Sequence, residues 1–560
     1  MLATVRTAKY TPPTSASTWQ LLLGVGLALP WLVPIHTRPW TGFHADVTMA
    51  VVCALAAAVL VVRGAGAWPA PPIALGFMAL AAIPFIQYRT AQIPYFADAW
   101  LALAYVLALA TAILVGARIE TSWPGRLVPV LLGSFGLAAL VSLGLAMNQW
   151  LQLDQWAAYT LAIPAGARPV ANVAQPNKLA TLFLWGLVAA WWAQERRVVR
   201  PGLGVVIAML LLLGVALTRS RMGTLGAFLC LLVGFLHSSS RRSRAGCLTG
   251  LGLAAWLVLC TLGIGSVNAA LDIGNAAPLD ERLRPGTRML HWQLVLDAIW
   301  RRPLEGWGWQ QVTVAQSALA SQHPATSEII SYSHNLLLDL LLWNGIPLGA
   351  LVAVALGIWF FRSWRGASHT SQVALMLALS VLLLHSMLEL PHGYTVFLLP
   401  AGLMMGAVEG IRHPESASTR FGQVPRGVVA LILVGLVIGL TITVRDYLRI
   451  EQAWTAERLR RARIGSLEML PLPETRALDH LRAMLVNDRT EARAGMTAHE
   501  IAAMRVLTDR FPSYAGLVRL ARAQALNGLP TESAATLDRL CRTHPEQLCT
   551  AAQQALGETR

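Results

Sequence analysis

The chain has 560 residues, of which 55% are hydrophobic and only 13% charged, and its mean hydropathy is +0.53. A soluble protein carries about 25% charged residues, so these proportions exclude a soluble globular enzyme and point to an all-α polytopic membrane protein. The net charge of +15 is almost wholly arginine, since Lys9 and Lys178 are the only lysines; much of it falls in short loops between apolar runs, which is a membrane-orientation signal rather than a footprint for nucleic acid.

About thirteen stretches are long and apolar enough to span a bilayer, within a range of eleven to fourteen, because Gly and Pro interrupt several. They centre near residues 28, 55, 78, 107, 137, 187, 211, 230, 257, 347, 380, 402 and 436. This divides the chain into spans one to nine (1–268), a large loop (269–335), spans ten to thirteen (336–444) and a polar tail (445–560). The first run lacks a small-residue cleavage site and reads as a retained span. Arg6 and Lys9 precede it. Alternate loops then gather Arg63; Arg118 and Arg126; Arg196, Arg197 and Arg200; Arg241, Arg242 and Arg244; Arg362 and Arg365; and Arg412, Arg420 and Arg426. The opposite short loops hold Arg38, Arg89, Arg168 and Lys178. The richer side is expected to be cytoplasmic, which puts the N-terminus inside and the large loop and tail outside.

The polar residues of the outer side come next, in chain order. Ala174-Gln175-Pro176-Asn177-Lys178 is a polar turn feeding the sixth span. Thr218-Arg219-Ser220-Arg221 joins the seventh span to the eighth. Two arginines one residue apart point to different helix faces, so one can anchor at lipid headgroups while the other turns inward toward an anion. Arg284-Pro285-Gly286-Thr287-Arg288 opens a helical stretch that ends at Arg301-Arg302-Pro303-Leu304-Glu305-Gly306-Trp307-Gly308-Trp309. Its arginines and tryptophans suit either an interfacial helix or a sugar-phosphate headgroup. Ser333-His334-Asn335 starts the tenth span, with Asp339 one turn further on. A histidine facing water at a helix start titrates near neutral pH and can act as a base. His385, Ser386 and Glu389 end the eleventh span. The i, i+4 spacing places His385 and Glu389 on one helix face, and Pro391 stops the helix. The tail shows helical periodicity: Leu517, Leu520, Ala521 and Ala525 precede Asn527-Gly528, and Ala534, Ala535, Leu537 and Leu540 follow, a unit of tetratricopeptide type. Cys541 and Cys549 in the tail either stay free or pair in an oxidising compartment.

Ionisable groups near lipid are costly and mark functional sites. No Asp-x-Asp motif, H-E-x-x-H motif or nucleotide-type phosphate loop occurs on the outer side, so no metal or nucleotide cofactor is expected. A donor already activated in the membrane, such as a lipid diphosphate, fits a site lined with arginine.

Several segments carry a resemblance: Pro34-Ile35-His36 with Pro39 and Phe43, Pro84-Phe85-Ile86-Gln87, Gln175-Pro176-Asn177, Thr218 to Arg221, Arg288 through Gly308, and Ser333-His334-Asn335. The most discriminating is His385-Ser386-Met387-Leu388-Glu389-Leu390-Pro391, continuing to Tyr394 and Phe397-Leu398-Leu399-Pro400. Here the chain resembles the bacterial O-antigen ligase and O-oligosaccharyltransferase superfamily, and most narrowly the pilin-type protein O-oligosaccharyltransferases of Gram-negative bacteria. It departs from that pattern at Leu390 and His392, where an aromatic and an apolar residue are expected. The resemblance implies a multi-span inverting glycosyltransferase of the bacterial inner membrane. Such an enzyme moves a preassembled glycan from undecaprenyl diphosphate, on the periplasmic face, to Ser or Thr hydroxyls of a periplasmic or pilus protein. It implies that Arg221 and Arg288 bind the diphosphate and that His334 activates the acceptor. Arg219, Asn335, His385, Glu389, Gln175 and Asn177 are expected to line the substrate. The rivals are an O-antigen ligase acting on lipid A core, a polymerase, and, from another class, a lipid or solute transporter.

Overall fold

The computed structural model describes residues 18–64, 66–153, 158–273, 288–413, 422–465 and 468–557. Arg6, Lys9, Arg420 and the turn Arg284–Thr287 lie outside the described residues. α1 (Thr18–Ala28) continues as a 3-10 turn to Leu32 and is followed by α2 (Phe43–Arg63), α3 (Pro72–Leu80), α4 (Ile83–Arg89), α5 (Phe96–Ser122) and α6 (Leu127–Trp150). Next come α7 (Pro176–Glu195), α8 (Pro201–Leu217), α9 (Arg221–His237) and α10 (Arg244–Ala270). The large loop carries α11 (Arg288–Arg301) and α12 (Val312–Leu319). α13 (Leu336–Arg365), α14 (Thr370–Ser386), α15 (Thr395–Arg412) and α16 (Arg426–Arg461) complete the apolar part.

Among the described residues, eight helices are long and apolar enough to cross a membrane, with Pro72–Arg89 taken as one; four shorter apolar helices, Thr18–Leu32, α8, α9 and α14, accompany them. All thirteen expected centres fall within helices. The sixth lies in α7, whose polar ends keep it out of both groups although every residue from Leu179 to Ala189 is buried. α7 is the axis of the bundle: the Trp185 ring lies 4.5 Å from Phe135, 5.7 Å from Phe397 and 5.9 Å from Trp31. Beside it, Gly402, Gly406 and Gly410 form an i, i+4, i+8 stripe on α15 that lies against α5; a Cβ at Gly406 would fall 2.1 Å from the Ile113 carbonyl oxygen. Small residues of this kind let apolar helices approach backbone to backbone. A two-strand antiparallel ladder, Trp68–Ala70 on Gly422–Val424, ties the loop after α2 to the entrance of α16.

α13 is broken within its first third. Gly345 has φ 75° and ψ 169°, with Pro347 two residues on. The break leaves backbone groups that the large loop satisfies. Trp307 N and Gly308 N donate to the Leu342 and Trp343 carbonyls at 2.8 and 3.1 Å, and Ile346 N donates to Pro303 O at 2.6 Å. Gln87 completes the brace: its amide nitrogen donates to Trp343 O at 2.8 Å and its oxygen accepts from Trp309 N at 3.0 Å. The Pro303–Trp309 and Pro84–Gln87 motifs are thus, in this fold, the parts that hold a kinked helix. A Cβ at Gly345 would stand 2.2 Å from Leu304 O. Gly345→Ala is expected to lower the melting temperature and the yield of folded chain in detergent, since the φ/ψ region alone costs about 1–3 kcal/mol for a residue with a side chain.

α16 has 36 residues, about 54 Å of helix, which exceeds the ~30 Å hydrocarbon core. It runs unbroken through the expected boundary at 444/445 and leads into the tail. The tail helices are α17 (Asp479–Arg489), α18 (Ala498–Arg510), α19 (Tyr514–Leu526), α20 (Pro530–Thr543) and α21 (Glu546–Gly557). α19 and α20 form a hairpin about Asn527-Gly528, held by Ser533 Oγ to Ala521 O and Thr536 Oγ1 to Gln524 Oε1, both 2.8 Å. Cys541 and Cys549 are disulfide-bonded, with Cα atoms 4.6 Å apart.

The tail is docked on the ends of the spans at which α5 begins. Asp479 accepts from Phe96 N and Ala97 N at 3.0 and 2.9 Å and so caps α5. The Arg510 guanidinium makes a two-pronged pair with buried Asp98 at 2.9 and 3.0 Å. Thr326 N and Ser327 N, in the large loop, both donate to Arg542 O at 3.0 Å.

Candidate active site

Three helices, α7, α9 and α13, begin at the same end of the bundle, and each is entered in the same way. A left-handed residue, Ala174 (φ 60°), Arg219 (φ 50°) or His334 (φ 58°), is followed by an extended N-cap, Gln175, Ser220 or Asn335. Left-handed backbone costs a residue with a Cβ about 1–2 kcal/mol, and it persists where the neighbours are pinned. At His334 they are. Ser333 N donates to Asp339 Oδ1 at 2.8 Å, Ser333 O accepts from the Trp292 indole at 2.9 Å, and Ser333 Oγ donates to Asn335 O at 2.8 Å. Asn335 caps α13 by accepting from Leu337 N and Leu338 N. The imidazole of His334 is thereby thrown out of the turn.

It meets Glu389. His334 Nδ1 lies 3.2 Å from Glu389 Oε2. Arg288, the first residue of α11, donates to Glu389 Oε1, and Asn177 Nδ2 reaches the same oxygen at 2.9 Å. Side chains from the α7 entrance, the large loop and the α13 entrance therefore converge on one carboxylate that sits between α14 and α15. The Glu389 side chain is 8% exposed and that of His334 26%, so the carboxylate is shielded while the imidazole still faces outward. Burial pushes the Glu389 carboxyl up, but the hydrogen bond from His334 and the Arg288 charge outweigh it and hold the group below its ordinary value. A depressed carboxylate stabilises the fold above the unfolded-state pKa, and that contribution disappears as pH falls through the lower folded-state value. Acidification below about pH 4.3 is accordingly expected to loosen the large loop, and Glu389→Gln to flatten that part of the acid-melting curve.

The expected His385–Glu389 pair does not form. α14 ends at Ser386, so Glu389 leaves the helix face; His385 turns inward instead, with Nδ1 2.8 Å from Thr181 Oγ1. Gln175 and Asn177 flank Pro176 at the α7 entrance, but only Asn177 reaches Glu389. Arg219 Nη2 donates to Gly166 O at 2.9 Å. Arg221 is exposed at the first residue of α9. Gly223, two residues on, lies against Ala180 of α7, and Gly226 lies near Leu384 of α14, which puts Arg221 at the same end of the bundle as Glu389.

Other groups of the site gave a weaker signal in sequence. His392 Nε2 lies 3.2 Å from Asp339 Oδ2, so the Asp339 that fixes Ser333 is itself buttressed. His291, one turn along α11 from Arg288, is buried beside Glu328 at 3.7 Å; burial holds its imidazole below the ordinary range. Lys178 lies over the Tyr394 ring, 3.2 Å from its centroid. Its signal was available, as one of two lysines in the chain.

Fold and site together define a polytopic helical membrane protein whose paired imidazole, guanidinium and carboxylate lie at one end of an apolar bundle. Three family models match the chain: one described as protein glycosylation ligase over residues 169–192, one as O-antigen ligase over 206–353, and one as virulence factor membrane-bound polymerase, C-terminal, over 373–556. The chain is 28% identical over 440 residues to a general O-oligosaccharyltransferase of Acinetobacter baylyi, covering 76% of this chain and 75% of that protein. It is 25% identical over 334 residues to a ComP-specific O-oligosaccharyltransferase of the same organism, covering 59% of this chain and 60% of that protein. These matches make the chain similar to the O-antigen ligases and the O-oligosaccharyltransferases.

Proposed function

We propose that this chain is a membrane oligosaccharyltransferase that moves a preassembled glycan from undecaprenyl diphosphate to Ser or Thr hydroxyls of periplasmic or pilus proteins. The observation that carries this reading is the convergence of His334, Arg288 and Asn177 on Glu389. Glu389 orients the imidazole through Nδ1, which leaves Nε2 to take the proton of an incoming hydroxyl, the base-and-orienter relation of nucleophile activation. The hydroxyl attacks the anomeric carbon in line and the glycosyl–phosphate bond breaks on the opposite face, inverting the centre. The electron pair leaves with the diphosphate, where Arg288 and Arg221 neutralise the charge. Guanidinium suits this role because its planar fork matches phosphate oxygens. The openings of α7, α9 and α13 add the positive ends of three helix dipoles on the same side.

In this reading the protein sits in the bacterial inner membrane with its N-terminus cytoplasmic and its site and tail periplasmic. An oxidising compartment agrees with the Cys541–Cys549 bond. In intact cells both thiols are expected to resist a membrane-impermeant maleimide until a membrane-impermeant reductant is added; no labelling after that reduction would place the tail elsewhere.

A second reading, transfer to lipid A core, is favoured by the O-antigen ligase match over 206–353. The purified chain, given undecaprenyl-diphosphate glycan and either a pilin or lipid A core, separates the two. Glycosylated pilin supports the first reading, whereas product on lipid A core alone, or no product with either acceptor, overturns it.

A further inference from the structure

Among the basic residues of this chain arginine stands almost everywhere, and Lys178 is the one lysine within the described residues. It lies in the first turn of α7, next to the Asn177 that binds Glu389. Its ammonium carries three donors, yet it rests on a π-face, the Tyr394 ring at 3.2 Å. Asp46 and Glu389 both attract it electrostatically, but the hydrogen bonds of their oxygens go elsewhere. Asp46 Oδ1 accepts from Thr395 N and Oγ1 at 2.7 and 2.8 Å, and Oδ2 from Tyr105 at 3.3 Å. Glu389 is taken by Arg288, Asn177 and His334. A half-buried ammonium that touches no acceptor is costly where it stands, unless an anion completes it.

We propose that Lys178 is a further ligand of the donor's phosphate oxygens, acting with Arg288 across Glu389. The inference rests on the donor assigned above. The incoming diphosphate brings the negative charge that Asp46 and Glu389, already occupied, do not supply through contact.

The scarcity of lysine makes the test direct. The full chain in nanodiscs carries Lys9, Lys178 and a terminal amine as its reactive amines, so reductive dimethylation at Lys178 can be followed by mass spectrometry of its own peptide. Undecaprenyl diphosphate at ten times its Kd is expected to slow that labelling about tenfold. Undecaprenol, inorganic phosphate and phosphatidylglycerol at the same concentration are expected to leave it unchanged, which separates a lipid diphosphate from a free anion or a headgroup. Lys178→Met is expected to lower kcat/KM for transfer about 10²-fold and to raise the Ki of undecaprenyl diphosphate, and Lys178→Arg, which keeps the charge, to restore part of both. Unchanged labelling in a chain that binds undecaprenyl diphosphate overturns the role of Lys178 alone. A wild-type chain that does not bind that lipid overturns the donor assignment with it.

Discussion

His334→Ala is expected to reduce glycan transfer by about 10²–10⁴-fold, the usual worth of a positioned base, while the chain still inserts in the membrane. The turn that presents His334 is fixed by Ser333, Asp339, Trp292 and Asn335 rather than by the imidazole itself, so removing the ring takes away the proposed proton acceptor and leaves the scaffold. Arg288→Ala is expected to cost about 10²–10³-fold, with a second effect: Glu389, buried at 8% exposure, loses its counter-charge and draws more tightly on His334. Arg288→Lys should recover only part of the loss, because a point charge does not bind phosphate in two-pronged fashion. Initial rates with a fixed acceptor and varied lipid-linked donor measure both. Normal transfer by His334→Ala would assign the base to another residue, and an unchanged donor KM and kcat in Arg288→Ala would remove it from the leaving-group side.

The second large effect concerns stability. Asp98 and Arg510 are separated by 412 residues in sequence, both are buried, and their two-pronged pair also receives Gln311 Nε2 at 3.2 Å. Removing one partner of a buried ion pair strands the other charge and typically costs about 3–5 kcal/mol. Asp98→Ala is therefore expected to lower the melting temperature strongly and to expose the tail to limited proteolysis. The double replacement Asp98→Leu with Arg510→Met is expected to recover much of the loss, since an apolar pair of similar volume can stand in for a buried salt bridge. If Asp98→Ala melts like the parent chain, the tail is not held by this pair.

Much of the helical layout was legible because apolar length is a local property: each expected span centre lies in a helix. The polar residues at helix starts were legible for a related reason, since ionisable groups among apolar runs are few. What the sequence concealed were relations between distant segments. Glu389 looked like the partner of His385 by spacing, but the helix stops three residues short of it, and its partners come from residues 177, 288 and 334. The Arg-Pro-Leu-Glu-Gly-Trp-Gly stretch suits an interfacial helix or a headgroup surface by composition; in the fold its backbone repairs a break in α13, because the unsatisfied carbonyls it meets arise only once Gly345 and Pro347 have distorted that helix. Lys178 looks in sequence like one loop cation among several, and its rarity as a lysine is the signal that sets it apart. The docking of the tail left no trace in periodicity, since Asp479, Arg510 and Arg542 sit in segments that by themselves look like an autonomous helical module.

That last contact has a bearing on how chimeras of such proteins must be cut. Asp479 supplies the cap for the first amides of α5, and the carbonyl of Arg542 receives two amides of the 326–327 turn. Grafting another relative's C-terminal region onto this chain at residue 465 would exchange those acceptors along with the intended surface. A swap that keeps its register must carry the matching 95–98 and 323–327 stretches in the same exchange.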